Sequence, residues 1–191
     1  IQTTLEPTAQ KAAYDAITAR IPMDDPSGRA GAVSMVQPGT GRIVAMTQNR
    51  EWGTSGTGRT TYNYNVGSAM GGTIGMQAGS TFKIFTLAAA IEAGVDPHEF
   101  VSSPSPKTFL NFTNCDTGAP YGPITVNNST TSGTLNMMQA TAYSTNTYFM
   151  TIEERVGQCR PADIAEAMGV MLANGKPLLR VPSFTLGTME V

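Results

Sequence analysis

The sequence predicts an α/β domain in which a small sheet is sandwiched by helices, and three observations predict it. The apolar runs Ala32–Val36 and Ile43–Met46 lie either side of Pro38-Gly39-Thr40-Gly41, a β-hairpin signal. Neither run alternates with polar residues, so both strands call for cover on both faces. From Ser80 to Val95 the residues Phe82, Ile84, Phe85, Leu87, Ala88, Ala89 and Ile91 leave almost no polar face, which reads as a helix buried nearly all round. Apolar residues at helical spacing recur near the start of the chain and again between Leu135 and Met168.

The bounds fit one domain, or one domain and part of another: 191 residues can bury a real core. A net charge of -2 and the lack of any basic run argue against nucleic acid as a partner. No apolar stretch is long enough to span a bilayer and no signal-peptide pattern opens the chain, so any membrane anchor is expected outside it. Charged residues make up only 14% while Thr, Asn, Ser and Gly abound, a composition that suits an exported protein.

In order, an extended Ile1–Thr4 leads to Glu6-Pro7, where proline suits a first helical turn, and Ala9, Ala12, Ala13, Ala16 and Ile17 continue an amphipathic helix to about Arg20. A linker from Pro22 to Gly31 precedes the hairpin. Asn49 to Gly79 is rich in Thr, Gly, Asn and Tyr and almost aperiodic, a length that points to a functional loop, in which Trp52, Tyr62 and Tyr64 read singly as packing residues. Gly79 breaks the chain before the apolar helix, and Gly94 with Pro97 stops it. Asp96 to Gly133, with Pro104, Pro106, Pro120 and Pro123 and little helical pattern, reads as a second long loop that holds the only histidine, His98, in a structural role. Helical spacing returns at Leu135, Met138 and Ala142, at Phe149, Ile152 and Val156, and from about Pro161 to Met168; Pro182–Val191 shows no recognisable element.

Two short motifs carry chemistry. Ser80 sits at the positive end of the apolar helix and Lys83 one turn further in, three residues apart and so on one side. A lysine sunk among apolar side chains loses hydration, which favours the neutral amine able to take the serine proton. This Ser-x-x-Lys is the only one in the chain. The second motif, Tyr143-Ser144-Thr145-Asn146, falls at the join of two helices. It can be read as a helix cap, or as a turn presenting the Ser144 hydroxyl for proton relay and the Asn146 amide for a substrate carbonyl.

Together, Gly79-Ser80-Thr81-Phe82-Lys83 and, about sixty residues later, Ser144-Thr145-Asn146 resemble the transpeptidase domain of penicillin-binding proteins. Val33 to Met46 is similar to that family's first two strands, Tyr121-Gly122-Pro123 to the segment before its second motif, and Thr3–Pro7 with Gln10 to the start of the domain in bifunctional, class A members. The resemblance covers nearly the whole chain. It implies a penicillin-binding protein/serine β-lactamase-like fold with helices around an antiparallel sheet, on the extracytoplasmic face of a bacterial membrane. It also implies a serine D,D-transpeptidase that acts on peptidoglycan stem peptides ending in D-Ala-D-Ala and is acylated by β-lactams. Ser80 would be the acylated nucleophile, Lys83 its base, Ser144 a proton relay to the leaving amine and Asn146 a ligand of the substrate amide, with the Ser80 N–H as half of an oxyanion hole. No metal or organic cofactor is called for.

The family's third motif, Lys-Thr-Gly or Lys-Ser-Gly, is missing; Lys107-Thr108 lacks the glycine. A two-stranded sheet is too small to stand alone, so the expectation is that residues 1–191 are the N-terminal part of a transpeptidase domain. Its remaining strands would lie on a following segment or companion chain, bringing the third-motif lysine close to Ser80 and Ser144. A β-lactamase and a non-enzymatic β-lactam sensor share the first two motifs. Class A β-lactamases add a glutamate after the second motif, and the comparable stretch Leu172–Val181 has no acid. Cys115 and Cys159 flank the same helical pair and could meet; an exported protein would allow a disulfide, and two free buried thiols are the alternative.

Overall fold

In the computed structural model, which describes residues 2–191, Pro7 opens helix α1 (Pro7–Arg20) at the position where its missing N–H costs nothing. Strands β1 (Ala32–Val36) and β2 (Ile43–Gln48) pair antiparallel, with Ser34 opposite Met46 and a register shift between Met35 and Val36. The turn between them uses Gly39 and Gly41 at positive φ, a conformation glycine enters at no steric cost. The chain before and within α1 occupies the edge of β2 away from β1. Glu6 N–H donates to Val44 O, and the Gln10 side chain both donates to Met46 O and accepts from Met46 N–H, as a neighbouring strand would.

Backbone packing divides the chain into two units, residues 2–75 with 173–175 and residues 76–172 with 176–191. In the first unit the long loop after β2 contains a two-residue parallel pair, β3 (Glu51–Trp52) with β4 (Arg59–Thr60). Asn49 is buried and ties the linker down, accepting from Gly31 N–H and donating to the carbonyls of Ile21, Pro22 and Arg29.

In the second unit a 3₁₀ turn, Gly79–Phe82, runs into α2 (Lys83–Glu92). Two antiparallel pairs follow, β5 (Val101–Ser103) with β8 (Gly133–Leu135) and β6 (Lys107–Phe109) with β7 (Ile124–Val126). Asn136 and Gln139 form a reciprocal capping box on α3 (Met137–Ala142), and α4 (Asn146–Val156), α5 (Cys159–Ala167) and a 3₁₀ turn at Phe184–Leu186 complete the unit. Three apolar clusters hold it together. Phe82 of the 3₁₀ turn and Phe85 and Ala89 of α2 meet Ala162 and Ala165 of α5 and Phe184; Ala90 meets Met137, Tyr148, Phe149 and Ile152; Phe109, Phe112 and Val126 surround Met150. Cys115 and Cys159 are joined in a disulfide, their Cα atoms 5.7 Å apart.

Several expectations change. The hairpin is not covered on both faces: Met35, Val36 and Ile43 are exposed. Nor is α2 buried all round, because α4, α5 and the Phe184 turn take its other sides and leave Ile84 and Ile91, seven residues apart on one stripe, in solvent. Trp52 and Tyr62, read as packing residues, are exposed on their loop. The two long loops hide strands of two or three residues, too short to show a period of two. The C-terminal stretch, read as featureless, contains the Phe184 turn, whose Phe184 and Thr185 are fully buried. No helix of the described residues is long and apolar enough to cross a membrane.

Candidate functional site

The site lies within the second unit, where α2 and the α3–α4 junction meet. The 3₁₀ turn sets Ser80 at the exposed mouth of α2 while Lys83, one turn on, is buried. Ser144 is presented by a Schellman ending of α3: its N–H donates to Thr141 O and the Thr145 N–H to Ala140 O. Such an ending wants a left-handed residue, normally glycine, yet here Ser144 takes φ 52, the only non-glycine residue at positive φ among those described. Strain of this kind costs on the order of 1–3 kcal/mol and persists where the surroundings enforce it. Asn146 begins α4 directly after.

These placements bring all four sequence-predicted residues onto one nitrogen. Lys83 Nζ lies 3.0 Å from Ser80 Oγ, 2.9 Å from Ser144 Oγ, 2.6 Å from Ser144 O and 2.7 Å from Asn146 Oδ1. The orientation of the Asn146 amide is set by its other end, which donates from Nδ2 to Asn127 O. Two of the four oxygens, Ser144 O and Asn146 Oδ1, can only accept; the two hydroxyls can also donate. A neutral amine therefore satisfies both carbonyls with its two N–H groups and turns its lone pair toward the hydroxyls. Burial does favour that state, lowering the Lys83 pKa to about 8, with no carboxylate among the described residues paired to it. The Phe149 ring beneath, 5.5 Å from Nζ, helps hold the chain in place. A recess of about 80 Å³ opens beside these groups, lined by Ser80, Lys83, Ile84, Leu87, Thr141, Ser144 and Phe149.

Three supporting contacts were not legible in the motifs. Asn127 gives a backbone carbonyl to Asn146, which any residue type would supply. Asn128 accepts from Thr147 N–H and donates to Thr147 Oγ1, tying down the start of α4; two adjacent asparagines after the apolar Ile124–Val126 are the only signal for it. Gly187 O accepts from Gly79 N–H at 2.9 Å, which braces the turn that carries Ser80.

Residues 31–173 match the penicillin binding protein transpeptidase domain family. The chain is 29% identical over 178 residues to penicillin-binding protein 1A of Mycolicibacterium smegmatis, covering 87% of this chain and 18% of that protein. It is 28% identical to the peptidoglycan D,D-transpeptidase PbpA of the same organism, covering 89% and 35%. The chain thus spans well under half the length of these relatives. Among solved structures, penicillin-binding protein A from M. tuberculosis as an imipenem acyl-enzyme superposes with a TM-score of 0.65 at 20% identity, over 99% of this chain and 48% of that one. A peptidoglycan glycosyltransferase from Burkholderia ambifaria gives 0.68 at 18%, over 98% and 55%. With three quarters of its length inside the family's pattern and the same α/β fold as these neighbours, the chain belongs to the penicillin-binding protein transpeptidase family.

Proposed function

We propose that this chain carries the acylation site of a serine D,D-transpeptidase that cross-links peptidoglycan stem peptides on the outer side of the cytoplasmic membrane. The observation that supports it most is the single Lys83 nitrogen within 3.0 Å of both serine hydroxyls and, among the described residues, in no ion pair. In this reading neutral Lys83 takes the Ser80 proton as Oγ attacks the carbonyl carbon of the D-Ala-D-Ala amide, or of a β-lactam. The oxyanion that forms is met by the Ser80 N–H and the positive end of α2. Ser144 passes the proton from Lys83 to the departing amine, which leaves as the acyl–Oγ bond is completed; an acceptor amine of a second stem peptide then releases Ser80. Asn146 keeps one Nδ2 hydrogen beyond its bond to Asn127 O, free for the substrate amide.

A hydrolase of the β-lactamase kind would need a further base, and Glu166, the nearest acid in sequence to the Leu172–Val181 stretch, is committed to Leu178 N–H and to Arg180. We also propose that strands from sequence beyond this chain complete the sheet and carry the third-motif lysine. Supporting that, β1 pairs only with β2 among the described residues, leaving its far edge open beside exposed Met35 and Val36. Mass and partner content of the purified protein test it; a lone folded fragment that still takes up penicillin would refute it.

The main test is a time course with fluorescent penicillin. A stable adduct on Ser80 is expected, absent in Ser80→Ala and formed about a thousandfold more slowly in Lys83→Ala. The wild-type rate should rise with pH and level off above about 8, as Lys83 becomes neutral. Labelling that survives Ser80→Ala overturns the assignment, rapid turnover of the adduct indicates a β-lactamase, and a stable adduct without peptide exchange indicates a sensor.

A further inference from the structure

Glu153 lies on α4 seven residues after Asn146, on the same side of the helix, and is fully buried. Neither of its carboxyl oxygens has a hydrogen-bond partner among the described residues, and it belongs to no ion pair. An apolar side chain would fill this position more cheaply, since a buried carboxyl without partners pays for lost hydration. Its helix packs on the Phe184–Leu186 turn, where the backbone N–H of Thr185 faces the carboxyl without a hydrogen bond between them. Among the described residues that N–H donates to no backbone carbonyl outside its own 3₁₀ turn.

The same turn touches the Ser80 segment at three points. Phe184 packs against Phe82 with ring centroids 5.0 Å apart and planes tilted by 48°, Thr185 Oγ1 accepts from Thr86 Oγ1 at 2.8 Å, and Gly187 O accepts from Gly79 N–H. Gly187 stands so close to Gly79 that a Cβ there would collide with the Gly79 backbone. Small movements of the turn are therefore transmitted to Ser80, with no slack between them.

We propose that Glu153 is a positioning residue whose carboxyl holds the Phe184–Gly187 turn from the α4 side and, through Gly187 and Gly79, sets Ser80 relative to Lys83. This rests on Ser80 being the acylated nucleophile. Burial pushes the Glu153 carboxyl well above the ordinary range and favours the protonated acid, whose carbonyl oxygen is the acceptor that the Thr185 N–H lacks. The role needs an acceptor of the right length and no charge, which glutamine also provides.

The experiment measures penicillin acylation of the protein carrying this chain, separating the non-covalent dissociation constant from the acylation rate constant, for wild type, Glu153→Gln, Glu153→Leu and Glu153→Asp, each with a melting curve. Glu153→Gln should stay within about twofold of wild type in rate constant, while Glu153→Leu, folded at the assay temperature, should lose about tenfold or more with its dissociation constant nearly unchanged. If the leucine variant does not fold, Glu153→Asp decides: retracting the carboxyl by one methylene should slow acylation at least about fivefold. A leucine variant, or failing that an aspartate variant, as fast as wild type overturns the proposal, as does a glutamine variant as slow as the leucine one. A wild type that never labels refutes the transpeptidase reading instead.

Discussion

Between Met76 and Val191 the helical unit buries Phe82, Phe85, Phe109, Phe149, Met150, Ile152 and Phe184 in contiguous clusters, whereas the hairpin unit, among its described residues, buries only the hydrophobics Ala13, Ala45 and Ala173. The hairpin unit relies on side-chain amides. Asn49 serves four backbone groups, Gln10 completes the edge of β2, and Gln48 accepts from Tyr64 N–H and donates to Tyr62 O. Where a segment is too short or too polar to bury large side chains, its backbone groups still need partners, and Asn and Gln supply them at fixed geometry. The helical unit gains most from apolar volume; the hairpin unit loses most when a single amide goes.

The largest effect that would sharpen this contrast is at glycine. Gly187→Ala places a Cβ into the Gly79 backbone at φ 62, and penicillin labelling should fall by at least about a hundredfold, because the Ser80 turn must shift. Gly39→Ala in the hairpin turn, at φ 78 but with open space around it, should cost only about 1 kcal/mol in a denaturation curve. Equal losses at the two positions would show that backbone strain alone, not the contact, matters.

Next come the two interiors. Phe184→Ala should destabilise the helical unit by about 3–5 kcal/mol, with Phe184→Leu recovering a good part of it. Asn49→Ala should cost about 2–3 kcal/mol by orphaning Gly31 N–H and its carbonyl partners, and Asn49→Leu should recover nothing, since volume is not what the site lacks. Leucine rescuing position 49 would break the comparison. The disulfide has a place between these: replacing Cys115 and Cys159 together by serine should cost about 3–4 kcal/mol, as the closed loop of separation 44 gains freedom when unfolded.

How much could be read beforehand follows the same division. α1, α2, α3 and α4 announced themselves because a packed helix imposes its period on the apolar residues, and the hairpin because Pro38–Gly41 interrupts two apolar runs. Ser80, Lys83, Ser144 and Asn146 were legible as two local spacings, each set by a single helix end. The surroundings of Glu153, Asn128 and Gly187 were not, since tertiary packing alone decides what each one faces, and Asn127 acts through a carbonyl that every residue carries. Trp52 and Tyr62 were misread because aromatic character says nothing of whether a loop side chain finds a core, and the hairpin unit has little core to offer.

The smallest effect separates surface pairs from tethered ones. Arg160 and Glu92 join α5 to α2 through two hydrogen bonds of 2.6 Å, yet both side chains are about half exposed, at 50% and 53%. Water and salt screen such a pair, and ordering two long side chains offsets much of the attraction. Arg160→Gln should therefore leave the melting temperature at pH 7 and 0.15 M salt unchanged within about a degree. Hydrogen bonding to Arg160 does lower the Glu92 pKa, so whatever the pair contributes is present above the ordinary glutamate range and disappears as pH falls through the lowered value; any difference from Arg160→Gln should shrink in acid, not grow. Arg180 offers the contrast, being less exposed and bonded to both Asp163 and Glu166, the latter also capping Leu178 N–H. Arg180→Gln should lower the melting temperature measurably under the same conditions. Should Arg160→Gln prove as costly as Arg180→Gln, the charged surface of the helical unit contributes more than its apolar clusters suggest, and the division between an apolar and an amide-held unit would have to be redrawn.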